Sequence, residues 1–218
     1  PAANLLVAGK EHFAKGKRQR IMSRIATGTY DAVIVAHKSF EFLPVTDRTF
    51  SRYLQEQLNE LATYLTELKA ERADARVVKE IEKAKKRLEA KLKQRANREA
   101  KDVTLTFEEL GVDALFVDEA HAFKNLYFNT KMTRVSGLPN TESNRAFDMF
   151  VKTQHVQQMG GRVVFATGTP VSNTLAEVFT MQRYLQMPLL RERGLAQFDA
   201  WAANFGETTT TTGTEVET

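Results

Sequence analysis

The sequence predicts an α/β fold built on a parallel sheet, and three features predict it. Apolar runs of strand length recur at Asn4–Ala8, Asp31–Ala36, Asp113–Val117 and Arg162–Ala166. Stretches of helical length lie between them, and such alternation gives parallel strands joined by right-handed crossovers. The runs Val33-Ile34-Val35 and Ala114-Leu115-Phe116-Val117 are apolar at every position. That pattern suits strands covered on both faces.

The elements follow in order. Asn4 to Ala8 is the first strand, and Glu11 to Ala26 reads as a basic helix carrying Lys15, Lys17, Arg18, Arg20 and Arg24. A turn at Gly28 leads into the second strand. Between Arg48 and Lys101 there is neither glycine nor proline. Leu54, Leu58, Leu61, Leu65 and Leu68 step by three or four residues there, which places them on one helical stripe. From Lys69 to Lys101, 13 Lys and Arg stand against 6 Asp and Glu. The stretch reads as two long helices bending near Ala70 to Ala75. It is either a solvated helical insertion or a basic arm for a polyanion; Glu80, Glu82 and Glu89, interleaved with the lysines, favour the first. The third strand follows Thr106-Phe107-Glu108-Glu109-Leu110. Ser143 to Met159 is a helix stopped by Gly160-Gly161. After the fourth strand, Pro170 opens a helix towards Leu185, since proline is tolerated in a first turn. Four segments result: an α/β portion over 1–47, a charged helical insertion over 48–102, a second α/β portion over 103–190, and a C-terminal helix with a tail over 191–218.

Composition narrows the function classes. With 42% hydrophobic and 27% charged residues, the 218-residue chain can bury a core and is not of disordered type. It has no cysteine, which excludes disulfides and thiolate metal sites. No apolar run has the length to span a bilayer, and no secretory signal opens the chain. The expected setting is a bacterial cytoplasm, near the nucleoid, without membrane contact. The net charge of +4 is compatible with a polyanionic partner. Pro1 at the start and the threonine-rich run Glu207 to Gly213 suggest a piece of a longer polypeptide.

The chemistry concentrates at two strand ends. Asp118-Glu119-Ala120-His121 follows the third strand, and ligands of parallel sheets gather at the carboxyl ends of strands. One of two adjacent carboxylates there can hold a magnesium ion. The next can orient or deprotonate a water that attacks a phosphoryl group. Lys124-Asn125 extend the motif to D-E-A-H-x-x-K-N. The fourth strand ends in Thr167-Gly168-Thr169-Pro170-Val171-Ser172-Asn173. This hydroxyl-rich turn can place Thr167 and Thr169 within reach of His121. The same turn is also a plain strand-to-helix connection with a threonine cap before proline.

Together these elements resemble the D-E-A-H and T-G-T-P-x-x-N motifs of Snf-type motors in helicase superfamily 2. The resemblance implies the first RecA-like lobe of a P-loop NTPase, incomplete, with a helical hairpin inserted. It implies ATP and Mg2+ as cofactors, Asp118 and Glu119 as metal-binding and catalytic acids, and His121 as a relay of nucleotide state. It further implies Thr167, Gly168, Thr169, Pro170 and Asn173 at the nucleotide side. Val35-Ala36-His37-Lys38-Ser39-Phe40 resembles the short motif that lies near the DNA backbone in such motors. His37, Ser39, Lys124 and Asn125, with Lys15, Lys17, Arg18 and Arg20 of the basic helix, are then the candidate nucleic-acid contacts. More narrowly, most of the chain resembles the large plasmid and phage polypeptides in which such a motor is joined to an adenine-N6 DNA methyltransferase. Duplex DNA, a second RecA-like lobe and a methyltransferase domain are the partners this implies.

One part of the motor is missing. No G-x-x-x-x-G-K-[ST] loop occurs; Gly9-Lys10 is followed by Glu11 where a hydroxyl residue is required. The isolated chain is therefore not expected to hydrolyse ATP efficiently. Two other function classes compete: a non-catalytic interaction module that uses the helical arm as its surface, and a metal-dependent hydrolase such as a nuclease. The second needs more ligands around the two acids; of His12, His37, His121 and His155, none but the motif's own His121 lies near them in sequence.

Overall fold

The computed structural model describes residues 2–14, 16–96, 105–132, 143–172 and 174–206. The fold is mixed α/β, with the four expected strands in four-residue form: β1 (Leu5–Ala8), β2 (Ala32–Val35), β3 (Ala114–Val117) and β4 (Arg162–Phe165). They form two parallel pairs, β1 with β2 and β3 with β4, and not one continuous sheet. The registers run from Leu5 opposite Ala32 to Ala8 opposite Val35, and from Ala114 opposite Arg162 to Val117 opposite Phe165.

The expectation that both sheet faces are covered does not hold. One face of each pair turns Leu6, Ala8, Val33, Val35, Leu115, Val117, Val163 and Phe165 into the main core. The other leaves Leu5, Val7, Ile34, Phe116 and Val164 exposed, with Phe116 at 75%. An apolar run has no polar side to show water, so the uncovered face stays apolar.

Helices account for most of the burial. The basic helix predicted over Glu11–Ala26 divides into a 3-10 turn at Lys10–Phe13 and α1 at Arg18–Thr27. Gly16 has φ 85°, a left-handed backbone that interrupts helical geometry. A one-turn helix, α2 (His37–Phe40), follows β2. The long insertion is α3 (Asp47–Ala70) and α4 (Ala75–Ala96), and the bend falls where the sequence placed it. It is not a detached arm. Tyr53, Leu54, Leu58, Leu61, Tyr64, Leu65 and Leu68 of α3 are buried, and Val77, Ile81 and Leu88 of α4 join the same core. Each such aliphatic side chain contributes about 1.5–3 kcal/mol by burial.

The remaining helices are α5 (Asn144–Gln158), α6 (Leu175–Glu192) and α7 (Phe198–Phe205). Ser143 caps α5 by accepting the Ala146 N–H, and Gly160 ends the segment at φ 81°. Gly161 is required by close approach: an added Cβ would lie 2.5 Å from the carbonyl oxygen of Asp113. α6 starts at Leu175 and not at Pro170, and it runs to Glu192 through a kink at Gln186 (φ −138°) just before Pro188. Its Tyr184 and Met187 face the main core. Its Ala176, Phe179 and Leu190 form a second cluster with Phe128, Phe198 and Trp201. Among the described residues, no helix is long and apolar enough to cross a membrane.

Candidate functional site

Pairing of β3 with β4 brings the two motifs side by side. The ladder continues past both strands: the Ala166 N–H donates to Val117 O at 2.8 Å, and the Ala120 N–H donates to Ala166 O at 3.0 Å. The acidic tetrapeptide and the threonine turn are thus fixed relative to each other by backbone. Ala120 itself is fully buried and anchors the 3-10 turn Ala120–Phe123 beneath Glu119.

Asp118 and Glu119 are both exposed at the carboxyl end of β3. Asp118 Oδ1 accepts the Glu119 N–H at 3.0 Å, and its other oxygen has no hydrogen-bond partner among the described residues. Glu119 has φ 48° and ψ 47°, a left-handed conformation rare for a residue with a Cβ. His121 sits between the motifs. Its Nδ1 lies 3.1 Å from Glu119 Oε2 and 3.1 Å from Thr167 Oγ1. A carboxylate only accepts, so Nδ1 carries the proton and donates towards Glu119. Thr167 Oγ1 also accepts the Thr169 N–H at 3.1 Å, which closes the turn. Of the two threonines expected near His121, Thr167 makes the contact, while Thr169 contributes its backbone to the turn. Gly168, Thr169 and Pro170 are exposed. Asn173 lies outside the described residues.

Lys124 does not point freely to solvent. Its Nζ lies 2.9 Å from Glu177 Oε1 and also bonds the Ser172 hydroxyl. Glu177 in turn accepts the Ser172 N–H at 2.6 Å. This lysine therefore ties the segment after the acidic motif to the start of α6. The Asn125 carbonyl accepts the Ser143 N–H at 3.4 Å, at the entry to α5. His37 packs on Phe123, ring centroids 5.1 Å apart, and its Nδ1 lies 3.0 Å from Arg145 Nη2. A guanidinium only donates, so this nitrogen accepts. Arg145 also stacks on Phe123 at 4.7 Å and pairs with Glu41 at 3.2 Å. Ser39 is 1% exposed and so presents no hydroxyl to an outside partner in this conformation.

Among the predicted basic contacts, Lys17 and Arg20 are exposed at the start of α1, and the Arg18 guanidinium lies 4.5 Å over the Phe42 ring. Lys15 lies outside the described residues.

Sequence reading missed Ser172, Glu177 and Arg145. For Glu177 a signal was present: Thr174-Leu-Ala-Glu177 has the S/T-x-x-E spacing that marks a helix start. It would have moved the start of α6 from Pro170 to Thr174. Arg145 has no local signal, because its partners His37 and Glu41 are about a hundred residues away.

The sequence profile of the family described as "Probable helicase domain" matches residues 1–217. The chain is similar to the "Defense against restriction protein B" of Escherichia phage P1, with 26% identity over 192 residues. The match covers 86% of this chain and 8% of that protein, so the chain spans a small part of its relative's length. No solved structure matches the chain. With nearly its whole length matched by that profile, the chain belongs to the probable helicase domain family.

Proposed function

We propose that this helicase-family chain is part of the first lobe of an ATP-driven DNA translocase of the Snf-type, DEAH-box class. The observation that carries this reading is His121, whose Nδ1 is shared between Glu119 and Thr167. A motor must pass the state of its hydrolytic acid to the elements that grip its track. Here one imidazole joins the acid to the turn after the neighbouring strand. Any movement of Glu119 towards a nucleotide breaks or remakes its bond to His121, and Thr167 is displaced with it.

The donor set suits magnesium. Asp118 is exposed, with one oxygen that has no hydrogen-bond partner among the described residues, and Glu119 stands beside it. An ion that keeps most of its water and binds one or two carboxylates plus substrate phosphates needs no more from the protein. When bound, it would supply positive charge against the charge that develops on the transferring phosphoryl group. Asp118 would hold it, and Glu119 would orient and accept a proton from the attacking water. The sequence has no glycine-rich loop with a lysine for the β and γ phosphates. ATP turnover therefore belongs to the longer polypeptide, with its phosphate-binding loop and a second lobe. The name of the phage relative, which concerns defence against restriction, supports a setting in restriction and modification of DNA, where a methyltransferase domain is a natural companion.

ATP hydrolysis by the longer natural polypeptide, with and without duplex DNA, tests this reading beside the 218-residue chain alone. DNA-stimulated turnover in the long form and none in the chain is the expected result. Absence of turnover in the long form under both conditions would remove the motor and leave a non-catalytic interaction module.

A further inference from the structure

The exposed side of α4 is a nearly unbroken row of cations. Arg76, Lys79, Lys83, Lys86, Arg87 and Lys93 are all exposed. At 3.6 residues per turn they fall within an arc of about 120°. The acids of the helix are off the row or occupied. Glu82 pairs with Lys69 at 2.9 Å, Glu89 faces Lys85 at 3.9 Å, and Glu80 lies at the row's edge. Among the described residues, none of the six basic side chains makes a salt bridge; Lys86 acts on Glu82, four residues before it, only at longer range.

This row is held rigidly. Val77, Ile81 and Leu88 bury the opposite side of α4 against the core. The Lys91 ammonium donates to Asn144 Oδ1 at 3.1 Å, at the first residue of α5. The residue before it, Ser143, donates its N–H to Asn125 O, four residues past His121. These two bonds link the later part of α4 to the start of α5, and the start of α5 to the segment after His121.

We propose that the outer side of α4 is a docking surface for the phosphate backbone of duplex nucleic acid. The charges of α4 select this partner. From Arg76 to Lys93 the helix extends about 25 Å, a length of duplex that carries on the order of 15 phosphates. Six cations spaced one to six residues apart along one side of a helix form a line of positive charge that can follow a line of phosphates and reads no sequence. A membrane surface fits less well, because the apolar side of α4 is already buried and cannot enter a bilayer. The proposal rests on the motor reading for its biological sense, but it concerns binding alone and needs no nucleotide.

The test is fluorescence anisotropy of the 218-residue chain with a labelled duplex of about 20 base pairs, titrated over a range of salt. Three forms are compared: wild type, a quadruple variant (Lys79→Gln, Lys83→Gln, Lys86→Gln, Lys93→Gln), and a charge-matched control at exposed cations outside α4 and outside the predicted contacts (Lys10→Gln, Arg48→Gln, Arg162→Gln, Arg193→Gln). Circular dichroism checks that each is folded, as expected for exposed substitutions. The α4 variant should bind about 10- to 100-fold more weakly at low salt, with a salt slope smaller by about two to four. The control variant should keep the wild-type slope. Unchanged binding by the α4 variant overturns the docking surface and leaves the motor reading intact. Failure of wild type to bind duplex also overturns it, as does tighter binding to phosphatidylcholine vesicles containing phosphatidylserine than to DNA. The motor reading is then judged separately, by hydrolysis in the long form.

Discussion

Glu119 holds a left-handed backbone at the end of β3 while its carboxylate reaches His121. That conformation costs a residue with a Cβ on the order of 1 kcal/mol, a cost that is retained at sites of function. Glu119→Gly should relieve it and raise stability by about 0.5–1 kcal/mol in thermal denaturation. Equal or lower stability would show that the carboxylate's bond to His121 outweighs the strain. In the long polypeptide, Glu119→Gln should abolish ATP turnover and spare nucleotide binding; undiminished turnover would exclude Glu119 from the chemistry. Thr167→Val removes the hydroxyl that His121 meets. DNA stimulation of turnover should then fall more than basal turnover does, and an equal loss in both would make the contact structural. At this scale the sequence was informative where partners lie on adjacent strand ends, because the register of β3 with β4 is set by two short apolar runs. It was silent on Lys124 with Glu177, and on His37 with Arg145. Those pairs depend on how α5 and α6 pack against the strand ends, which no local pattern encodes.

The hairpin α3–α4 depends on a cap that only tertiary structure supplies. Thr46 starts α3 and accepts the Thr49 N–H at 3.1 Å. Its own N–H and hydroxyl donate to Glu108, at 3.0 and 2.9 Å to Oε1. Burial alone would raise the Glu108 carboxyl, but hydrogen bonds from Thr49 and Thr46 outweigh it and hold the group below the usual glutamate range. A carboxyl lowered in the folded state stabilises the protein above its unfolded value. That contribution is lost as the pH falls through the folded one. The stabilisation should therefore be complete at neutral pH and fade below about pH 4.3. Chemical denaturation across that range should show a shallower acid loss in Glu108→Gln, and parallel curves would remove Glu108 as the cause. Leu61, 1% exposed, lies midway along α3; Leu61→Ala should cost about 2–5 kcal/mol. The leucine stripe made this helix legible, whereas the broken helix at Gly16 was not. A glycine within a basic run differs little in pattern from an exposed helical position, and only its positive φ distinguishes them.

For the molecule as a whole, the two strand pairs show both the strength and the limit of the sequence pattern. Fully apolar runs marked the strands correctly and predicted two covered faces; one face of each pair is bare. Burial depends on what else is present, and a run of residues records only its own preference. Exposed apolar surface of this kind promotes association. Val7→Thr with Phe116→Thr should reduce self-association in sedimentation velocity and change stability by no more than about 0.5 kcal/mol. A large loss of stability would show that these side chains are buried in solution.

The split of the apolar interior into two clusters has a spectroscopic consequence. The chain has one tryptophan, and Trp201 lies in the smaller cluster, its indole N–H donating to Gln182 at 2.6 Å. Indole emission is therefore a local probe of the corner where α7 meets the first turns of α6. Far-ultraviolet ellipticity is dominated by α3, α4 and α5, which belong to the other cluster. Because α6 contributes side chains to both clusters and is kinked at Gln186, the two signals need not move together in a denaturant titration. Coincident transitions would mean that the kinked helix transmits unfolding as one event. An earlier red shift would mean that the corner melts while the rest stands.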